Sequence, residues 1–160
     1  MTLTEMVARL RIRLNDTQSV EFSDAELEDY IADAIQAVHA MRIQLGDTRI
    51  IKSATVTTTL PADWAAWVGQ VPLKVTGTTV TGGPQTVRYF ASATIPSAGD
   101  DTLDVPTILI PSVLNYAVLQ GRLRLGLDID QESPMTQKIF LAVASALGLQ
   151  LVKPNNGTAR

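Results

Sequence analysis

The sequence has no cysteine. Disulfides, thiol nucleophiles and thiolate metal sites are therefore excluded for these 160 residues. It has a single histidine, His39, so imidazole metal clusters are excluded as well. Charged residues make up only 18% and aromatics 5%. No Lys/Arg-rich block occurs, net charge is −3, and tight nucleic-acid binding is not indicated. The longest apolar run, Ile139 to Val152, is 14 residues and is interrupted by Ser145, Gly148 and Gln150. A membrane span needs about 20. The N-terminus, MTLTEMVARLRIRL, lacks an apolar block followed by a small-residue cleavage site, so no signal peptide is expected.

Against these shortages stands an apolar content of 46%, with a mean hydropathy of +0.14. With no span to explain the excess, apolar surface covered by other copies of the chain is the better reading. A chain of this length is expected to form one domain with a substantial core.

The strongest local signal is VEFSDAELEDYIADAIQAVHAMR, Val20 to Arg42. Ser23 and Glu26 have capping-box spacing, and Phe22 and Leu27 that of a hydrophobic staple. Leu27, Tyr30, Ile31, Ala34, Ile35, Val38 and Met41 repeat at helical period. Before it, Leu3, Met6, Val7, Leu10 and Leu14 form the face of a first helix capped by Thr2 or Thr4, with Arg9, Arg11 and Arg13 on other faces.

Beyond Gly46–Asp47 the chain turns β-like. Ile, Val and Thr dominate from Arg49 to Thr59, and Leu60–Pro61–Ala62–Asp63 ends the run. DWAAWVGQ is short enough for one helical turn. Val71 to Val75 reads as a strand. The stretches 75–81 and 86–91, around Gly82–Gly83–Pro84, read as a hairpin, and Leu103–Val105 as a last strand. Helical period returns with Leu114, Ala117, Val118, Gly121 and Leu125, ended by Gly126. Ser133 is expected to cap a final helix with Pro134 at its first position. Met135, Ile139, Ala142, Val143 and Ala146 face inward, and Gly148 stops it.

The expected fold is mainly α with a β insertion: a four-helix bundle of two N-terminal and two C-terminal helices, with a small antiparallel β lobe between. Residues 1–148 form the domain, with helices over 4–15, 23–43, 108–126 and 134–147 and the insertion over 49–105. Residues 149–160 form a tail.

Few residues suggest chemistry. His39 lacks an adjacent nucleophile or carboxylate motif and is expected to be structural or at an interface. Glu26, Asp29 and Asp33 share one helical face, most simply a solvated one. Asp128, Asp130 and Glu132 alternate in a loop but lack the glycine and spacing of a calcium site. A small metal-dependent enzyme using those acids is the rival from another class. No Walker loop, GxSxG, HExxH or dinucleotide fingerprint occurs. The glycines of GRLRLG, Gly121 to Gly126, are expected to let helices approach closely. No cofactor is expected.

The run RLRIRLNDTQSVEFSDAELEDYIADAIQAVHAMR resembles the opening of the head-to-tail adaptor (connector or gateway) proteins of tailed bacteriophages. They share a helix ending in Leu–Asn–Asp, a Ser–Asp–x–Glu–Leu start and an Asp–Ala pair, here Asp33–Ala34. Leu60–Pro61–x–Asp63 is similar to their strand-ending motif. LNYAVLQGRLRLGLDIDQESPMTQKIFLAVASALGL is similar to their C-terminal helix pair. The likeness extends by pattern over most of the chain, as far as Gly148. It implies a virion protein of the neck, made in the bacterial host cytoplasm and assembled as a ring of twelve copies beneath the portal. Such a ring extends the DNA channel and provides the platform for the tail, with no enzymatic activity. The implied partners are the chain itself, the portal, tail or nozzle proteins, and double-stranded DNA passing without sequence-specific binding; no membrane is involved. A different neck or tail-completion protein is the near alternative, and a non-viral bundle binding protein partners a more distant one.

Within this reading, Trp64, Trp67, Tyr89, Phe90, Leu149, Leu151 and Val152 are the expected protein-interface residues. Glu26, Asp29 and Asp33 are the expected channel-facing acids, repelling phosphate so that DNA slides.

Overall fold

Helix α1 spans Leu3–Leu14 and begins at a reciprocal capping box: Thr2 Oγ1 accepts from Glu5 N, and Thr2 N donates to Glu5 Oε2. It ends at Asn15, in left-handed backbone at φ 59. Helix α2, Asp24–Gln44, opens with the same device, Ser23 against Glu26. Phe22 and Leu27 on either side of that cap are both buried, as a staple requires. Leu27, Ile31, Ala34, Ile35, Val38 and Met41 form the buried stripe. Sequestering a leucine as fully as Leu27 stabilises by roughly 1.5–3 kcal/mol. The computed structural model describes residues 1–96, 101–127 and 129–149.

The loop between α1 and α2 is held by charge. Asp16 is buried and accepts the backbone N–H groups of Val20, Glu21 and Phe22. Arg11 is not on an outward face. It is buried against Asp16 and Asp24, at 2.6 Å from each, and donates to Phe22 O.

The insertion contains β1 (Ile51–Val56), β2 (Trp64–Trp67), β3 (Lys74–Thr76), β4 (Thr79–Thr81) and β5 (Gln85–Ala91). One antiparallel sheet has the order β1-β5-β2, with Ile51 opposite Phe90 and Val56 opposite Gln85. The other is the β3–β4 hairpin. Four sequence expectations are corrected here. DWAAWVGQ holds β2, not a helical turn, because its backbone pairs with β5. The strand expected over Val71 to Val75 is confined to Lys74–Thr76. The hairpin turns at Gly77–Thr78, while β5 pairs with β1 and β2 instead. Gly82–Gly83–Pro84 therefore joins two sheets. A Cβ on Gly83 would stand 2.5 Å from Thr57 O and 2.6 Å from Val56 O, so that crossing demands glycine. Leu103–Val105 is not a strand; pairing there is a single bridge of Thr102 to Thr2.

A 3₁₀ turn, Thr107–Leu109, leads into α3, Ile110–Arg124, which carries Pro111 in its first turn and stops before Gly126 at φ +73. The last helix, α4, spans Glu132–Ala146. Its start corrects the expected Ser133 cap. A 3₁₀ turn over Ile129–Gln131 runs directly into the helix, so Gln131 is the cap and Pro134 falls third. Proline is tolerated there because first-turn N–H groups lack intrahelical partners anyway. Gly148, at φ +69, follows the C-terminal residue Leu147 as expected.

Among the described residues the fold thus has four α-helices, with an antiparallel β insertion between the second and third. Helices α2 and α3 make the most extensive pairing; α1 packs against both, and so does α4. The main core collects Met6, Leu10, Leu27, Ile31, Leu109, Val113 and Val143. A smaller core of Val56, Val80 and Val87, joined by Leu60, Trp67, Val71 and Leu73, supports the β lobe. Gly121 lets α3 approach α1 closely: a Cβ there would lie 2.9 Å from both terminal carbons of Leu14.

Candidate interaction surfaces

Among the residues expected at interfaces, Trp64 and Trp67 are half-buried on β2, an edge strand of its sheet. Their rings lie 5.4 Å apart, tilted by 58°. Trp67 packs on the valine core of the lobe. The Trp64 indole Nε1 is buried without a hydrogen-bond partner.

Tyr89 and Phe90, also expected at an interface, are buried within the lobe. They are 4% and 9% exposed, and since neighbours on a strand point to opposite faces, both faces of β5 are covered here. The Tyr89 hydroxyl donates to Asp63 Oδ1 at 2.8 Å, and Lys52 Nζ reaches Asp63 Oδ2 at 2.6 Å. Lys52, with Tyr89 behind it, holds the Asp63 carboxyl below the usual carboxylate range. Burial, then Asp63, raises the Tyr89 hydroxyl. The Asp63 of the Leu60–Pro61–x–Asp63 motif thus fastens β1 and β5 to the start of β2.

Leu149 is half-buried, its N–H bonded to Ala144 O at 2.9 Å. Leu151 and Val152 lie outside the described residues, as does Asp128.

The three acids of α2 differ. Glu26 is engaged in the capping box and in an ion pair with Arg124 at 2.8 Å. Arg124 also donates to Glu21 O and lies 4.9 Å from the centre of the Phe22 ring, tying the end of α3 to the start of α2. Asp29 and Asp33 are exposed.

His39 is structural in its contacts. With carbonyl oxygen as acceptor, its Nε2 donates to Ala91 O at 2.6 Å, joining α2 to the end of β5. Burial lowers its pKa below 6.5, so the ring is neutral at pH 7.

Asp47, just past the end of α2, is a charged node. It is 2% exposed and takes Arg42 Nε on one oxygen at 2.8 Å and Arg49 Nε on the other at 2.7 Å. Burial raises its pKa, but hydrogen bonds from Arg49 and Arg42 outweigh that and hold it low.

Asp130 and Glu132 are exposed. Among the described residues no group of three or more His, Asp or Glu is placed to hold a metal ion. Among the same residues no helix is long and apolar enough to cross a membrane.

Large aliphatic side chains also reach the surface outside the expected set. Ile12 on α1 is 68% exposed and Leu141 on α4 is 47% exposed. Val20, Ile108 and Leu127 are others. No protein-family model and no curated protein matches the chain.

Proposed function

We propose that the chain is a structural subunit of a phage neck: a head-to-tail adaptor that forms a ring under the portal, lengthens the DNA channel and gives the tail its platform. The observation that carries this reading is the placement of exposed aliphatic side chains on two different helices. Ile12 belongs to α1 and Leu141 to α4, each of which packs on both α2 and α3. A ring closed by rotation joins one face to a different face, so each subunit needs two unlike apolar patches. In this reading the helices form a four-helix bundle that builds the ring wall.

Asp29 and Asp33 then face the channel, where fixed negative charge repels DNA phosphates and prevents sticking. Glu26 takes no part, since Arg124 and the helix cap occupy it. The half-buried Trp64–Trp67 pair on β2 meets the portal or the tail. The resemblance to phage adaptors supplies the copy number of twelve.

Electron microscopy and native mass measurement of the purified protein, alone and with DNA-filled heads, test the reading. Rings that cap the portal vertex are expected, and Ile12→Glu or Leu141→Glu should each prevent closure while leaving the helical circular dichroism intact. A solitary subunit that ignores the heads, or rings untouched by both substitutions, would refute it. Attachment to the tail end alone would make the chain a tail-completion protein instead.

A further inference from the structure

We propose that the hollow between α2 and the β lobe is an oxyanion site built on Arg42 and Arg49, taking inorganic phosphate or a carboxylate.

The guanidinium of Arg42 is the centre of the argument. Its side chain is 9% exposed and is held at one position, Nε to Asp47 Oδ2. Its two terminal amino groups meet no acceptor among the described residues. A guanidinium carries five donors, and those of Arg42 that Asp47 does not take reach solvent and are open to a ligand. Arg49 repeats the arrangement, bound to Asp47 through Nε, with its amino groups also without an acceptor there. One carboxylate shared by two guanidiniums leaves one positive charge over. Both arginines line a hollow of about 390 Å³, to which Ser92 adds a hydroxyl, while the Thr94 hydroxyl beside it is turned to Asp104. Planar, forked donors of this kind match the paired oxygens of a carboxylate or phosphate.

Two acids also line the hollow. Asp63 is already bound by Lys52 and Tyr89. Asp104 accepts only a 3.4 Å contact from Thr94 among the described residues, and forms no ion pair there. Asp104 is therefore the group that opposes an anion, and its removal should tighten binding.

The oxyanion has two sources, a free ion or a carboxylate side chain of a second copy. The site does not depend on the adaptor reading. Sodium phosphate is titrated into the dilute full chain against sodium chloride at matched ionic strength, with amide NMR shifts as the readout. Saturable shifts at Arg42, Arg49, Ser92 and Thr94 are expected with phosphate and absent with chloride. Arg49→Gln, at a half-exposed position and checked for folding by circular dichroism, should weaken binding roughly tenfold, the loss of one charge-assisted contact. Arg42→Lys keeps the charge, loses the fork and should weaken it as much; Asp104→Asn should strengthen it. Sedimentation of the same variants separates the sources. Self-association that Arg49→Gln abolishes, without phosphate shifts, assigns the site to a neighbour's carboxylate. No saturable shift together with self-association indifferent to Arg49→Gln overturns the proposal, as does binding that Asp104→Asn weakens.

Discussion

Substitution at Gly121 separates close helix packing from mere helix propensity. Gly121 lies inside α3, where glycine is less favourable than alanine by about 1 kcal/mol. Packing opposes this, because a Cβ would stand 2.9 Å from both terminal carbons of Leu14 on α1. Those carbons are the free end of a half-buried side chain and can give way. Gly121→Ala should therefore leave stability within about 1 kcal/mol of the parent, propensity offsetting the displaced leucine. Gly121→Val carries two further methyl groups into the same contact and should lose about 2–3 kcal/mol, the upper part of the range for overpacking. In urea that is a midpoint lower by roughly 1 M. Leu14→Ala alone removes a partly buried side chain, with a loss of about 1–2 kcal/mol. The double variant Leu14→Ala/Gly121→Val should lose less than the sum by at least about 1 kcal/mol, since the first change makes room for the second. Urea melts followed by far-ultraviolet circular dichroism measure all four proteins. Equal stability of the alanine and valine variants, or additivity within about 0.3 kcal/mol, would show that α1 and α3 are not in the contact inferred.

Trp64→Phe deletes a buried indole N–H that has no partner while keeping a ring beside Trp67, so its melt should shift by less than about 1 kcal/mol; a large loss would mean that the N–H is bonded in solution. Asp47→Ala strands the buried Arg42 and should lower stability by about 3 kcal/mol in the same assay, whereas Asp29→Ala, on an exposed position, should change it by less than about 0.5 kcal/mol. The carboxyls of Asp16, Asp47 and Asp63 all have pKa values below their ordinary 3.8, so their contribution is present above pH 3.8 and is lost as pH falls through the lowered values. For Asp16 the chief cause is the backbone N–H of Glu21, so Asp16→Asn should flatten the acid limb of stability against pH. Neutral His39 acts in the same direction at milder acidity: its pKa is lowered from 6.5, so stability should begin to fall as pH drops through 6.5, and His39→Gln should remove that first decline.

The helices were readable because their ends carry local chemistry. The Ser23–Glu26 box and the stops at Gly126 and Gly148 lie where the sequence places them. The β lobe was readable only as β in character. Strand β2 has four residues and β3 and β4 three each, too short for periodicity to identify. The partners of β5 are β1 and β2 rather than the neighbouring hairpin, and a pairing across that distance leaves no local trace. The same limit hid the charged nodes. Arg11 occupies a position that helical period assigns to the surface, but its long side chain folds back to Asp16 and Asp24. Nothing in the order of residues separates it from Arg9 or Arg13. Asp47 likewise looks like any turn residue until Arg42 and Arg49 are brought to its two oxygens. That Asp29 and Asp33 are exposed was readable from spacing, while the burial of Tyr89 and Phe90 was not, because a strand covered on both faces carries apolar residues on both.

These hidden nodes bear on how an assembly of this chain would transmit load. Among the described residues, two hydrogen-bonded ties secure the β lobe to α2: His39 bonds the carbonyl of Ala91 at the end of β5, and Asp47 locks the chain between α2 and β1 through Arg42 and Arg49. A third tie, the bridge of Thr102 to Thr2, fixes the returning segment to the start of α1. A lobe joined by one flexible linker could swing, and a partner docking on it would leave the helices unaware. Because Ile51 lies opposite Phe90, the ties at Ala91 and Asp47 grip the same end of the sheet, side by side on β1 and β5, and two grips there oppose a swing that one linker would allow. In the adaptor reading, a partner pressing on Trp64 and Trp67 would pass that force through β5 to His39 and into the helix that carries Asp29 and Asp33. Loosening the tie should therefore weaken docking without touching the docking surface. His39→Ala, measured above pH 7 where the ring's charge plays no part, should reduce partner attachment while rings still close. Unchanged attachment by a folded His39→Ala ring would show that the lobe acts independently of the wall.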